Sequence, residues 1–152
     1  MKMKKDEMLL LENQLCFSIY ACSREITKLY RPMLDEFGIT YPQYLVMLSL
    51  WEQDQQTVKD LGDSLFLDSG TLTPMLKRME STGLIMRQRD SIDERKVYIS
   101  LTEQGKKLKE EAFCIPEQFF KESNATQEEF LSLLNQTKSL LQKIHSVNEH
   151  KK

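Results

Sequence analysis

The three cysteines of this chain are its residues best suited to covalent chemistry. Cys16 and Cys22 stand six residues apart in the apolar run Asn13–Cys22, and Cys114 lies far downstream, two residues before Pro116. A thiol reacts as its thiolate, and a cysteine with a pKa of about 8.5 is mostly protonated at neutral pH. A working thiol therefore needs its anion stabilised. No lysine or arginine lies within a turn of Cys16, so hydroxyl donors and dipoles would have to supply that stabilisation. Tyr20, one turn along a helix and about 40° away on its wheel, is either one such donor or a core tyrosine. Cys22 falls about 240° round the same helix, out of disulfide reach of Cys16. From the residues alone, either Cys16 and Cys22 are both small core residues or one of them is a working thiol.

Other chemistries find little footing. Three widely spaced cysteines without a Cys-x-x-Cys pair make neither a secreted disulfide framework nor a zinc site. His145 and His150 read as exposed residues near the C-terminus, and we expect no metal and no cofactor. There is no Gly-rich phosphate loop and no nucleophile elbow. The apolar stretch Tyr44–Trp51 is too short to span a membrane. The N-terminus lacks the pattern of a cleaved signal, so the expected compartment is the cytoplasm.

The elements that must position these groups are mostly helical. The chain has 152 residues, 40% of them hydrophobic, with only 5 glycines and 4 prolines. A helical pattern runs from about Leu10 to Tyr30, and Pro32 predicts an end or kink at Arg31. A short turn over Met33–Phe37 closes at Gly38. Pro42 opens an apolar, central helix reaching about Glu52. Thr57 with Asp60 caps a short helix. Asp68 or Ser69 caps the next, which contains Pro74 and ends at Gly83. Residues 84–90 and 96–101 then read as two strands of a ribbon joined by "SIDER". Thr102 caps a helix that Pro116 interrupts. Thr126 with Glu129 caps a last helix to about His145.

A helix-turn-helix followed at once by a ribbon makes a winged helix-turn-helix: a mainly α fold with a small two-stranded β-wing. It occupies about residues 41–101 of a single domain. The flanking helices, about 8–40 and 102–147, need cover for their apolar faces, most simply from a second subunit.

Charge singles out the same module. The whole chain carries −2, but residues 69–99 carry +2 and residues 101–130 carry −3. In "DSGTLTPMLKRME" the small residues Ser69, Gly70, Thr71 and Thr73, with Pro74 and Met75, open a helix whose N-terminus favours phosphate. Lys77 and Arg78 follow. The wing adds Arg87, Arg89 and Arg95, long enough to reach backbone or minor groove. Singly each piece suits a solvated surface; in this order they suit double-stranded DNA.

"FLDSGTLTPMLKRMESTGLI" followed by "RDSIDERKVYISLTEQGKKL" resembles the MarR family of bacterial repressors. Asp93 and Arg95 match its Asp-x-Arg wing feature, in which the aspartate orients the arginine. The segment from Leu11 to Glu52 resembles the organic-hydroperoxide-sensing, OhrR-type branch. That resemblance implies a homodimer that holds a palindromic operator and releases it on oxidation of a sensor cysteine, here Cys16. It also implies two tyrosines bonded to the sulfur, matched by Tyr30 and Tyr41. Such repressors occur in one-cysteine and two-cysteine forms. Cys114 therefore stands either as the resolving thiol or as a small residue at a helix end. If it does not resolve, a low-molecular-weight thiol caps Cys16 or the sulfenate over-oxidises.

Three other functions compete. In one, a small aromatic ligand in the dimer crevice releases the DNA and Cys16 has no redox role. In the second, Cys16 serves a thiol peroxidase, for which the sequence offers no activating cation. In the third, the winged helix binds protein and never touches DNA, against which the composition of Ser69–Arg78 and Arg87–Arg95 argues.

Overall fold

The computed structural model describes residues 5–151. Two compact units emerge, one running to Pro116 and the other beginning at Glu117. Among the described residues no helix is long and apolar enough to cross a membrane.

The first unit begins with two single 3-10 turns, Glu7–Leu9 and Leu11–Asn13. Helix α1 then spans Leu15–Asp35. The helix expected from Leu10 thus starts later, with Gln14 at its N-cap. It also runs through Pro32 rather than ending at Arg31. A proline removes its own N–H bond and crowds the carbonyl four residues back, yet the helix continues three residues past it. Burial of Met33 and Leu34, at 3% and 2% exposure, holds that last turn against the core.

Helix α2 (Tyr41–Glu52) opens with Pro42 in its first turn and a capping box between Thr40 and Gln43. Its Tyr44, Val46, Met47 and Leu50 are buried, which makes it the centre of the unit. Strand β1 (Gln56–Thr57) follows, then α3 (Val58–Leu65), capped by Thr57 and Asp60 as expected. Helix α4 (Ser69–Ser81) is capped by Asp68, whose Oδ1 accepts the Thr71 N–H at 2.9 Å. Pro74 lies inside it. Gly83, at φ +78°, makes the left-handed turn out of α4.

Strands β2 (Ile85–Arg89) and β3 (Val97–Leu101) form the antiparallel ribbon, with Arg87 opposite Ile99. The expected two-stranded wing gains a third member, because β1 pairs with β3 at Gln56–Ile99 and Thr57–Tyr98. Helix α5 (Glu103–Glu111), capped by Thr102, seats its backbone hard against the ribbon. A Cβ on Gly105 would lie 2.2 Å from the Leu84 carbonyl oxygen, so only glycine fits. Trp51 Nε1 donates to the Gly105 carbonyl at 2.9 Å, tying α2 to α5.

Pro116 does not break α5. That helix ends before it, and Pro116 lies in the first turn of a further helix, α6 (Cys114–Glu122), where a missing N–H costs nothing. In the second unit, α7 (Gln127–Glu149) starts at the Thr126–Glu129 capping box. Phe130 packs edge-on against Phe119 and Phe120, with ring centres 5.9 and 6.0 Å away. Further along α7, Leu131, Leu133, Leu134, Leu141, Ile144 and Val147 are exposed.

Candidate functional site

Two sets of groups carry chemistry. The first is built on the turn between α1 and α2. Tyr30, near the end of α1, and Tyr41, at the start of α2, meet across it with ring centres 4.9 Å apart. Tyr44, one turn beyond Tyr41, completes the cluster at 6.1 and 6.4 Å. Desolvation pushes the Tyr30 hydroxyl up to about 12, with Tyr41 and then Tyr44 adding to the shift. Burial also raises Tyr41. Tyr44 is raised by burial, then by Tyr41 and by Cys114. All three phenols thus keep their protons at neutral pH and remain O–H donors. Tyr44 was not singled out from sequence, although a position three residues after Tyr41 on an apolar helix shares its face.

Cys16 lies elsewhere. It sits in the exposed first turn of α1, among exposed Leu15, Phe17, Ile19 and Tyr20. Fourteen residues separate it from Tyr30, about 21 Å along the helix axis. One chain therefore unites Tyr30 and Tyr41 but not the thiol with them. Tyr20, one turn from Cys16, has the Arg24 guanidinium 5.6 Å above its ring. Cys22 is exposed on the same helix. Cys114 is also exposed, and its S–H donates to the Glu111 carbonyl at 3.2 Å.

The second set is α4 with the ribbon. Ser69, Gly70, Thr71, Pro74, Lys77 and Arg78 are exposed along α4, while Thr73 and Met75 are half-buried. The Asp68 carboxylate takes hydrogen bonds from the backbone and hydroxyl of Thr71, which hold it below the usual carboxylate range and fix the first turn. At the ribbon's tip, Asp90 Oδ1 accepts the N–H groups of Ile92 and Asp93 at 2.8 and 2.9 Å. The Asp93 carboxylate in turn takes the backbone N–H and Nε–H of Arg95 at 3.2 and 3.3 Å. Arg95 still projects outward, its side chain 93% exposed. Arg89 is exposed, whereas Arg87 turns inward to Glu80 of α4, at 3.5 Å. Among the described residues no cluster of His, Cys, Asp and Glu is placed to hold a metal ion.

The family of SarA/Rot transcriptional regulators matches residues 28–112. The organic hydroperoxide resistance transcriptional regulator of Bacillus subtilis is 55% identical over 138 residues, covering 91% of this chain and 94% of that protein. Among solved structures, reduced AbfR bound to DNA superposes with a TM-score of 0.75 at 41% identity, covering 92% of this chain and 97% of that one. The disulfide-formed AbfR superposes at 0.62 and 42% identity, with coverage of 90% and 96%. Wild-type MarR of E. coli superposes at 0.66 and 27% identity, with coverage of 84% and 96%.

Proposed function

The chain belongs to the MarR family of winged-helix transcriptional regulators, in the organic-hydroperoxide-resistance branch, and on that premise we propose that it is a cytoplasmic, homodimeric repressor switched by oxidation of Cys16. The observation that carries the reading is the tyrosine cluster. Tyr30 and Tyr41 present protonated phenols side by side, about 21 Å along α1 from their own Cys16. A second subunit that lays the exposed start of its α1 across this cluster brings its thiol to those donors. The uncovered apolar residues of α1 and α7 give two chains a reason to associate. In this reading residues 8–40 and 102–147 are the dimerisation helices.

The chemistry follows from the groups. Two phenolic donors, with Tyr20 nearby, stabilise the Cys16 thiolate. The thiolate attacks the distal oxygen of an organic hydroperoxide, and the O–O bond breaks. One proton goes to the departing alkoxide, giving an alcohol and a sulfenic acid. Leu15 and Phe17 beside the thiol favour an organic peroxide over hydrogen peroxide. Cys114, an exposed thiol at the start of α6, is the resolving thiol: its sulfur displaces hydroxide from the sulfenic acid as its proton leaves, forming a disulfide and water. The disulfide-formed state of AbfR supports that course. Without such a partner, a small thiol caps the sulfenate. Either product takes away the thiolate's hydrogen bonds and strains the α1–α2 turn that braces the dimer. Half-site spacing then departs from about 34 Å and the operator is released.

DNA is read by Ser69, Gly70, Thr71, Thr73, Pro74, Met75, Lys77 and Arg78 of α4. Arg89 and Arg95 of the wing join them, with Asp93 orienting Arg95. The DNA-bound AbfR structure supports DNA as the partner. Replacement of Cys16 by serine tests the switch: the variant holds a palindromic duplex but does not release it with cumene hydroperoxide. A Cys16→Ser protein that releases normally would instead favour a ligand-gated repressor.

A further inference from the structure

Arg87 is the wing arginine that composition groups with Arg89 and Arg95, yet its geometry differs. It follows Ile85 by two on β2, so the two side chains share a face, and Ile85 is buried at 1%. That face is turned to α4. Glu80, in the last turn of α4, accepts the Arg87 backbone N–H at 3.1 Å through Oε1. Through Oε2 it meets Arg87 Nη1 at 3.5 Å. One carboxylate thus grips both main chain and side chain of the strand. The Arg87 side chain is 21% exposed, and its Nε is buried without a partner. Burying an N–H without a partner is unfavourable, so the two Glu80 contacts have to offset that cost to hold the guanidinium inward. Glu80 also gains, because a carboxylate at a helix C-terminus opposes the helix dipole and a cation offsets it.

We propose that Glu80 and Arg87 are positioning residues that lock the wing onto the recognition helix and so set the angle between the two DNA-reading ends. The joint lies beside the Gly83 turn. One DNA-reading end, Ser69, is about 17 Å up α4 from Glu80; the other, Arg95, is past the end of β2. A small rotation at the joint is magnified at both. This rests on the DNA-binding reading of the module, and it separates Arg87 from the phosphate-neutralising arginines.

The test titrates wild-type protein, E80Q, R87Q, R87K and the E80Q/R87Q double variant against two duplexes over a range of salt. One is a palindrome selected by the wild-type protein from a randomised pool; the other is its scrambled counterpart. E80Q removes a negative charge near DNA, so simple electrostatics would tighten binding. The lock predicts the reverse: E80Q and R87Q each weaken the selected duplex about tenfold, the double variant is no worse than either, and R87K loses less. The salt slope stays at the wild-type value and scrambled-duplex binding is unchanged, which general loss of folded protein would not produce. Glu80 is at the surface, so E80Q decides the matter even if R87Q unfolds. E80Q binding as well as or better than wild type, or R87Q lowering the slope by about one, overturns the proposal. Wild-type protein with no salt-dependent DNA binding removes the DNA reading and the proposal with it.

Discussion

Tyr30 and Tyr41 meet across the α1–α2 turn with ring centres 4.9 Å apart, while Cys16 sits fourteen residues before Tyr30 on the same helix. The donors and the thiol that would use them are thus held at opposite ends of α1. If the donors of one subunit serve the thiol of the other, Tyr30→Phe and Tyr41→Phe each slow Cys16 oxidation about tenfold. Affinity of the reduced protein for DNA should not change. Stopped-flow measurement with a sulfenic-acid probe, beside a DNA titration, reads both.

The same burial gives an alkaline signature. Tyr30 is raised from 10.0 to about 12. Between those values the folded protein keeps a proton that the unfolded chain has released. Stability from this group is therefore complete below pH 10 and is lost as pH rises towards 12. Melting temperatures of wild type and Tyr30→Phe, compared from pH 9 to pH 11.5, should converge as pH rises; parallel curves would contradict the assignment.

Cys114 contributes to the upward shift of the Tyr44 hydroxyl, and Tyr44 packs on Tyr30 and Tyr41. A partner Cys16 delivered to the cluster would reach this thiol. Wild-type protein treated with cumene hydroperoxide should migrate as a covalent dimer on a non-reducing gel, and Cys114→Ser as a monomer. Cys22→Ser should behave as wild type.

Gly105→Ala should lower stability by about 1–3 kcal/mol, since the added Cβ would sit 2.2 Å from the Leu84 carbonyl oxygen and force α5 off the ribbon. Trp51→Phe, which removes the bond to the Gly105 carbonyl, should cost about 1 kcal/mol. Urea unfolding measures both.

The winged module was legible because its signals are local. Thr57, Asp68, Thr102 and Thr126 each cap the helix their spacing announces. What sequence missed depends on tertiary contacts. Nothing local says that Met33 and Leu34 will be buried and carry α1 through Pro32. Strand β1, of two residues, is too short to show a period, and α6 is hidden because a proline after a helical run reads equally as a stop or as a start. Ribbon register and the α4 turn decide that Arg87 faces Glu80. Tyr30 and Tyr41 match the family resemblance, and their tilted ring contact follows from the chain reversal at residues 36–40. Cys16 could be nominated, but one chain does not contain the whole site.

Mass spectrometry of Cys16 after one equivalent of cumene hydroperoxide, taken on samples whose DNA release is followed in parallel, tests the central claim most directly. The account predicts that the fraction of protein released equals the fraction oxidised at Cys16, and that Cys16→Ser releases none. Release that precedes Cys16 oxidation, or that persists in Cys16→Ser, would contradict it.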